Sequence, residues 1–258
     1  MANPLFSIII LAKSSQHLLP LCLDTIRSQT EKKFEVVLVG TGSLTRLREA
    51  ALAYPELSIR VCSSEKNAIS EMMNAGIRAS CGKYLQFLYP EDRFLSQQGL
   101  DHLGGLIQEH GDPHLIYSGF LARDPEGPPR AVFFPLDLAT LQKGMFPMAS
   151  RSSCFLKEAL LELGGFDCSF RYRGSFDVIC RLFQKKELKI VCSRRVLTDC
   201  EPYEATSKEM IGYAAETCRI LYRHFGSWYA MRWIFIQDHL NIFRWAARIF
   251  RQAFCKGD

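Results

Sequence analysis

Two carboxylates stand side by side at Glu91-Asp92, directly after the apolar run Tyr84 to Leu88 and the pair Tyr89-Pro90. The run reads as a short strand, and the proline ends its pairing. In open α/β sheets the carboxyl edge of the strands is where ligands bind. A carboxylate there can hold an oxygen-seeking cation, accept a proton, or do no more than solvate a turn. A third acid, Asp177, opens a helical stretch, where it either does chemistry or complements the helix dipole. Among the bases, Lys66 reads equally as a phosphate contact and as a solvated loop residue. Arg151, Arg171 and Arg173, each taken alone, read as surface charges. The six histidines form no metal-spaced set.

The elements that must position these residues follow from periodicity. Ile69, Met72, Met73, Gly76 and Ile77 recur at three- and four-residue spacing and predict a helix that stops near Gly82, in left-handed geometry. Phe6 to Leu11 and Phe34 to Val39 are β-branched runs that predict buried strands. Leu57 to Cys62 predicts a third strand. Helices are expected at Leu18 to Ile26, Leu44 to Tyr54 and Gln97 to His110, with a strand at His114 to Phe120. The turn-rich Asp124 to Pro129 predicts an antiparallel return through Ala131 to Phe134. Further on, Lys157 to Leu163 and Asp177 to Lys185 predict helices, and Leu188 to Cys192 a strand. Strands alternating with helices imply a mainly parallel sheet with helices on both faces. From Ser207 the chain reads as helical, with one helix over Met210 to Phe225 and another over Tyr229 to Phe254. The expected division is an α/β domain over 1–200 and a helical extension over 201–258.

Composition narrows the function classes. Hydrophobic residues make up 48% of the 258, enough for a substantial core. The net charge of +5 comes without a dense lysine/arginine block, so nucleic acid is not an expected partner. Ten scattered cysteines, with no CxxC pair, read as reduced thiols packed as small hydrophobes. With no basic leader and no cleavage site at the N-terminus, the expected location is cytoplasmic. The last predicted helix carries a stripe of Trp233, Ile236, Leu240, Phe243, Ala247, Phe250 and Phe254, beside Arg244, Arg248 and Arg251. Such a helix suits the inner face of a membrane as a peripheral contact, and equally suits docking on its own domain or a partner.

The ensemble of motifs resembles the family-2 inverting glycosyltransferases of the GT-A fold. SIII followed by LPLCLDTIRSQTEKKFEVVLV, then Gly42-Ser43, is similar to that family's opening strand, helix and second strand. ISEMMNAGIRASCGKYLQFL resembles its central helix and strand, and Pro90-Glu91-Asp92 stands where its acidic metal motif stands. Gly164-Gly165-Phe166-Asp167, Phe170, and Asp177 to Leu182 resemble its GGFDE and following helix. The likeness runs from about residue 6 to 195.

That resemblance implies a Rossmann-like GT-A domain that transfers a sugar from a nucleotide-sugar donor to an acceptor hydroxyl, such as a lipid-linked acceptor. It implies donor contacts from Ser14, Thr41, Ser43, Lys66 and Asn74. Glu91 and Asp92 would hold Mg or Mn, Asp177 would be the catalytic carboxylate, and Arg151 and Arg173 would lie on the acceptor or phosphate side. A divalent cation would stabilise the charge developing on the leaving diphosphate.

Several positions depart from the family pattern. Its paired aspartates after the second strand are here Gly40 and Thr41. Its first metal-motif aspartate is Tyr89, and its catalytic acid falls at Ser175. Acids are lost while Lys66, Arg151, Arg171 and Arg173 appear, and a basic side chain can replace a metal as counter-charge to a diphosphate. Two readings stand: a divergent glycosyltransferase, and a catalytically inactive relative kept for binding or scaffolding.

Overall fold

Phe6–Leu11 (β1) is the centre of the molecule, and all six of its residues are buried. The computed structural model describes residues 4–13, 15–122, 128–133, 135–145, 150–199 and 206–235. Leu19–Arg27 (α1) follows β1, then Phe34–Gly40 (β2), Thr45–Leu52 (α2) and Ile59–Ser63 (β3). Ile69–Ala79 (α3) leads to Tyr84–Leu88 (β4), Arg93–Phe94 (β5) and Gly99–His110 (α4). Leu115–Ala122 (β6) turns back through Arg130–Val132 (β7), and Leu138–Gln142 (α5) precedes Ser153–Leu156 (β8). Lys157–Glu162 (α6), Gly174–Leu182 (α7), Ile190–Val196 (β9) and Thr198–Asp199 (β10) complete the α/β part. Ser207–Phe225 (α8) and Ser227–Trp233 (α9) end the described chain.

The eight-stranded sheet runs β3-β2-β1-β4-β8-β6-β7, with β9 also paired to β6. β1 pairs in parallel with both β2 and β4. The parallel run breaks at β8, which is antiparallel to β4 on one side and to β6 on the other. Its amino end therefore meets the carboxyl end of β4. β5 and β10 form a separate two-stranded pair beside that junction.

Alternation along β1 sends Ile9 and Leu11 to one face and Ile8 and Ile10 to the other. The first face packs against α3, α6, α7 and α8, the second against α1, α2 and α4. Each fully buried isoleucine stabilises the fold by roughly 1.5–3 kcal/mol, so the doubly covered strand is the mechanical anchor of the sheet. Ile220 and Leu221 put α8 in the same core cluster as β1.

Several expectations are corrected. α3 ends at Ala79 with Ser80 extended, so Gly82 is not a left-handed helix end. A Cβ on Gly82 would come within 2.6 Å of the Phe6 and Ser7 backbone, so glycine there permits close approach to β1. α7 begins three residues earlier than expected, at Gly174. The helix expected over Tyr229 to Phe254 starts at Ser227 instead. Trp233, the first residue of its stripe, packs onto the domain core. The stripe from Ile236 to Phe254 lies outside the described residues. The described cysteines are all free thiols.

Candidate functional site

The carboxyl edge of β1, β2, β3 and β4 gathers the loops that the sequence singles out. Lys13 follows β1, while Ser14 lies outside the described residues. Gly40 closes β2, and its carbonyl accepts the Ser64 N–H at 2.8 Å, tying the β3 end to the β2 end. Thr41 is half-buried there, and the exposed Ser43 hydroxyl lies 3.1 Å from that of Thr45. The Ser64 hydroxyl donates to the Lys66 carbonyl, and Lys66 reaches Glu71 at 3.4 Å while staying 72% exposed. These groups share one rim, with hydroxyls and an exposed ammonium available to a ligand.

Asn74 is placed differently. Its side chain donates to the Phe166 carbonyl and accepts the Phe166 N–H, both at 2.8 Å. It clamps the left-handed turn at Gly164-Gly165, and a Cβ on Gly165 would lie 2.5 Å from its oxygen. The amide expected to contact a donor is thus engaged inside the protein.

At the end of β4 the chain makes a tight turn. The Asp92 N–H donates to the Tyr89 carbonyl at 3.0 Å, and Asp92 Oδ2 accepts the Tyr89 N–H at 2.8 Å. Asp92 Oδ1 accepts from Arg151 Nη1 at 2.8 Å. Asp92 is fully buried and Arg151 only 14% exposed. Burial pushes the Asp92 carboxyl up to about 6, against the pull of Arg151 and the Tyr89 N–H. The Arg151 guanidinium lies over the Tyr89 ring, 5.1 Å from its centre. The Arg151 main chain is also held, its carbonyl accepting from Gln86 Nε2 of β4 at 3.4 Å and from Thr198 Oγ1 of β10 at 3.3 Å. Arg151 occupies this place because the short 3-10 turn Ser150–Ser152 feeds β8 antiparallel to β4.

At the Mg or Mn site expected from Glu91 and Asp92, the described residues offer an incomplete ligand set. Both Asp92 oxygens are engaged, and Tyr89 offers no carboxylate. Glu91 Oε2 is buried without a hydrogen-bond partner among the described residues, which leaves one carboxylate where a divalent cation wants several oxygens. Among the described residues no three His, Cys, Asp or Glu side chains gather to hold a metal.

Asp177 sits in the first turn of α7 and is fully buried. Its Oδ2 accepts from Arg181 Nε at 2.8 Å, and its Oδ1 lies 2.9 Å from His224 Nε2 and 3.5 Å from Arg223. Arg223 also binds Asp167 at 2.7 Å. Arg181 extends the cluster to the carbonyls of Leu163 and Gly165. As placed, Asp177 locks α7 to α8 and to the Gly164-Gly165 turn. Ser175 and Arg173 flank the start of α7. Arg173 donates to the Gly144 carbonyl at 3.0 Å and stacks 4.4 Å from the Phe176 ring centre. Burial lowers the Arg173 guanidinium to about 10.

Sequence reasoning missed Glu216 of α8. Its carboxylate accepts the backbone N–H groups of Arg171, Tyr172 and Arg173 at 2.8, 2.9 and 2.8 Å. This fixes the loop entering α7. The signal available was one acid in the middle of a long helix, which carries no trace of its target 43 to 45 residues upstream.

Comparison with known proteins gives a family signature and a fold. Residues 7–92 match the model of glycosyl transferase family 2. A PGL/p-HBAD biosynthesis glycosyltransferase of Mycobacterium tuberculosis is 33% identical over 126 residues, 48% of this chain and 49% of that protein. The chain thus aligns with about half the length of these curated relatives. An uncharacterized glycosyltransferase of Haemophilus influenzae is 24% identical over 206 residues, covering 76% of this chain and 68% of that one. Among solved structures, S. aureus TarS 1–349 superposes with a TM-score of 0.69 at 14% identity, over 96% of this chain and 76% of that one. Mannosyltransferase PcManGT of Pyrobaculum calidifontis, in complex with GDP-Man and Mn²⁺, gives 0.60 at 16% identity, over 85% and 64%. The fold is GT-A.

Proposed function

We propose that this chain, which carries the glycosyl transferase family 2 signature over residues 7–92, transfers a sugar from a nucleotide diphosphate sugar to a hydroxyl of a polysaccharide, lipid-linked or cell-envelope acceptor. The observation that carries this reading is the convergence of the β1, β2, β3 and β4 carboxyl ends into one rim within that matched segment. TarS structures with UDP and with UDP-GlcNAc, on the same fold, support a nucleotide-sugar donor. The PGL/p-HBAD biosynthesis relatives support a biosynthetic transferase.

In the reaction the bond from the sugar's anomeric carbon to the diphosphate breaks, and the nucleoside diphosphate leaves with the electron pair. A bond from the acceptor oxygen to that carbon forms, and the acceptor proton passes to a base. Thr41, Ser43 and Lys66 would face the donor. Oriented side chains on a rigid sheet edge act chiefly by positioning. No described helix is long and apolar enough to cross a membrane. For an acceptor anchored in lipid, we assign contact with the membrane surface to the basic, apolar stripe that the sequence carries from Ile236 to Phe254.

One observation favours a second reading, a nucleotide-sugar-binding protein without turnover. The family's base position is Ser175, and Asp177 is engaged on both oxygens. Incubation with UDP- and GDP-sugars separates the two. Release of the nucleoside diphosphate in the presence of acceptor supports the transferase. Saturable donor binding without release supports the second reading. Absence of binding to any of these donors by folded protein removes both.

A further inference from the structure

The one aspartate kept from the acidic motif holds a guanidinium. Asp92 gives one oxygen to Arg151 and the other to the Tyr89 N–H. Tyr89, which replaces the motif's first acid, supplies the ring beneath that guanidinium. Gln86 and Thr198 grip the Arg151 carbonyl from β4 and β10. Three segments distant in sequence thus fix one positive group at the carboxyl edge of β4, where an α/β sheet presents its ligands.

We propose that Arg151 is the counter-charge to the donor's diphosphate, in the place of a divalent cation, so that nucleotide binding by this chain requires no metal. The inference rests on the nucleotide-sugar reading and adds the means of recognition. Tyr89 and Arg151 are two halves of one exchange. The first removes a carboxylate that a metal would need, and gives the second a π face to lie on. Asp92, no longer a metal ligand, orients the guanidinium. A buried ion pair is a weak source of stability, because desolvation offsets most of the attraction. A preorganised cation held at the carboxyl edge of the sheet needs no reorganisation when charge develops there. A planar guanidinium also matches phosphate oxygens better than an ammonium does.

The test is calorimetric titration of the native protein with UDP and with GDP, once in EDTA and once in Mn²⁺. The expected result is the same affinity, within about twofold, in both. Arg151→Lys, which keeps the charge, is expected to fold and to bind about tenfold more weakly. Arg151→Gln is expected to lose binding while its thermal melt remains cooperative. Binding that vanishes in EDTA and returns with Mn²⁺ overturns the inference and leaves the nucleotide reading in place. Unchanged binding by folded Arg151→Gln also overturns it. If neither nucleotide binds under either condition, the inference falls together with the reading beneath it. The EDTA comparison uses only native protein, so it stands even where a variant fails to fold.

Discussion

Asp92 and Asp177 are both fully buried, and each holds an arginine at 2.8 Å. Their settings differ. The arginine of Asp177 comes from its own helix one turn on, and its other partners come from α8. That cluster sits between helices and joins them. The arginine of Asp92 comes from 59 residues away and stands at the carboxyl edge of the sheet. It joins little that β4-β8 pairing does not already join. A buried carboxylate therefore signals function through where its partner stands, and burial alone does not separate the two cases.

The comparison breaks most visibly at Asp177. Asp177→Ala removes the carboxylate that Arg181 and His224 share, and should destabilise by about 3–5 kcal/mol. A urea melt would read this as a lower midpoint at unchanged slope. A midpoint equal to the native one would remove the structural assignment. Glu216→Ala frees three backbone N–H groups at once and should cost about 1–3 kcal/mol. Hydrogen exchange would show the loss as faster exchange at Arg171, Tyr172 and Arg173. Asp92→Asn should act on the ligand more than on the fold. We expect UDP or GDP affinity to fall about tenfold, about 1.4 kcal/mol, by titration calorimetry. A large stability loss with unchanged affinity would make Asp92 a second Asp177.

The smallest effect is a pH dependence at the rim of the Asp177 cluster. Burial acts to raise the Asp167 carboxyl, but the Arg223 hydrogen bond and the Ser169 N–H outweigh it and bring it to about 2. Its folded value is thus below its ordinary 3.8. The stability it contributes is present above about pH 4 and is lost as pH falls towards about 2. Both side chains are partly exposed, so solvent screening reduces the effect to about 1 kcal/mol. Acid melts of native protein and Asp167→Asn should converge over that window. Parallel curves would show that the pair contributes nothing.

Much of the fold was legible because its centre is simple. β1 and β4 lie on the predicted runs, and β2 extends its run by one residue, since strands covered on both faces read as near-continuous apolar runs, each broken here by one polar residue, Ser7, Gln86 or Glu35. β8 was not legible. Its four residues, Ser153–Leu156, follow a polar pair and show no period long enough to read. α5 and the two-residue strands β5 and β10 share that brevity. The site was legible in kind but not in arrangement. Arg151 was singled out for the acceptor or phosphate side, yet spacing along the chain says nothing of an antiparallel insertion that sets it on Asp92. Asn74 was expected at the donor from the resemblance alone, which carries no trace of the Phe166 backbone that its amide holds. The Mg or Mn expectation came from a motif position. Which group holds Asp92 decides whether that position can bind metal.

The placement of β8 also governs the order in which the protein can become itself. Among the described residues β6 does not pair with β4, and the strip β3-β2-β1-β4 joins the strip β6-β7-β9 only through β8. As the chain leaves the ribosome, the first strip is complete at residue 88, with the outer edge of β4 open to the wrong strand. More than sixty residues must still be made before β8 fills the gap. Until then Asp92 is without Arg151. A fragment ending at residue 92, the limit of the family signature, would be an unfinished sheet with an exposed seam. The same short strand that closes that seam carries Arg151 to Asp92, so the two contacts share one long-range pairing.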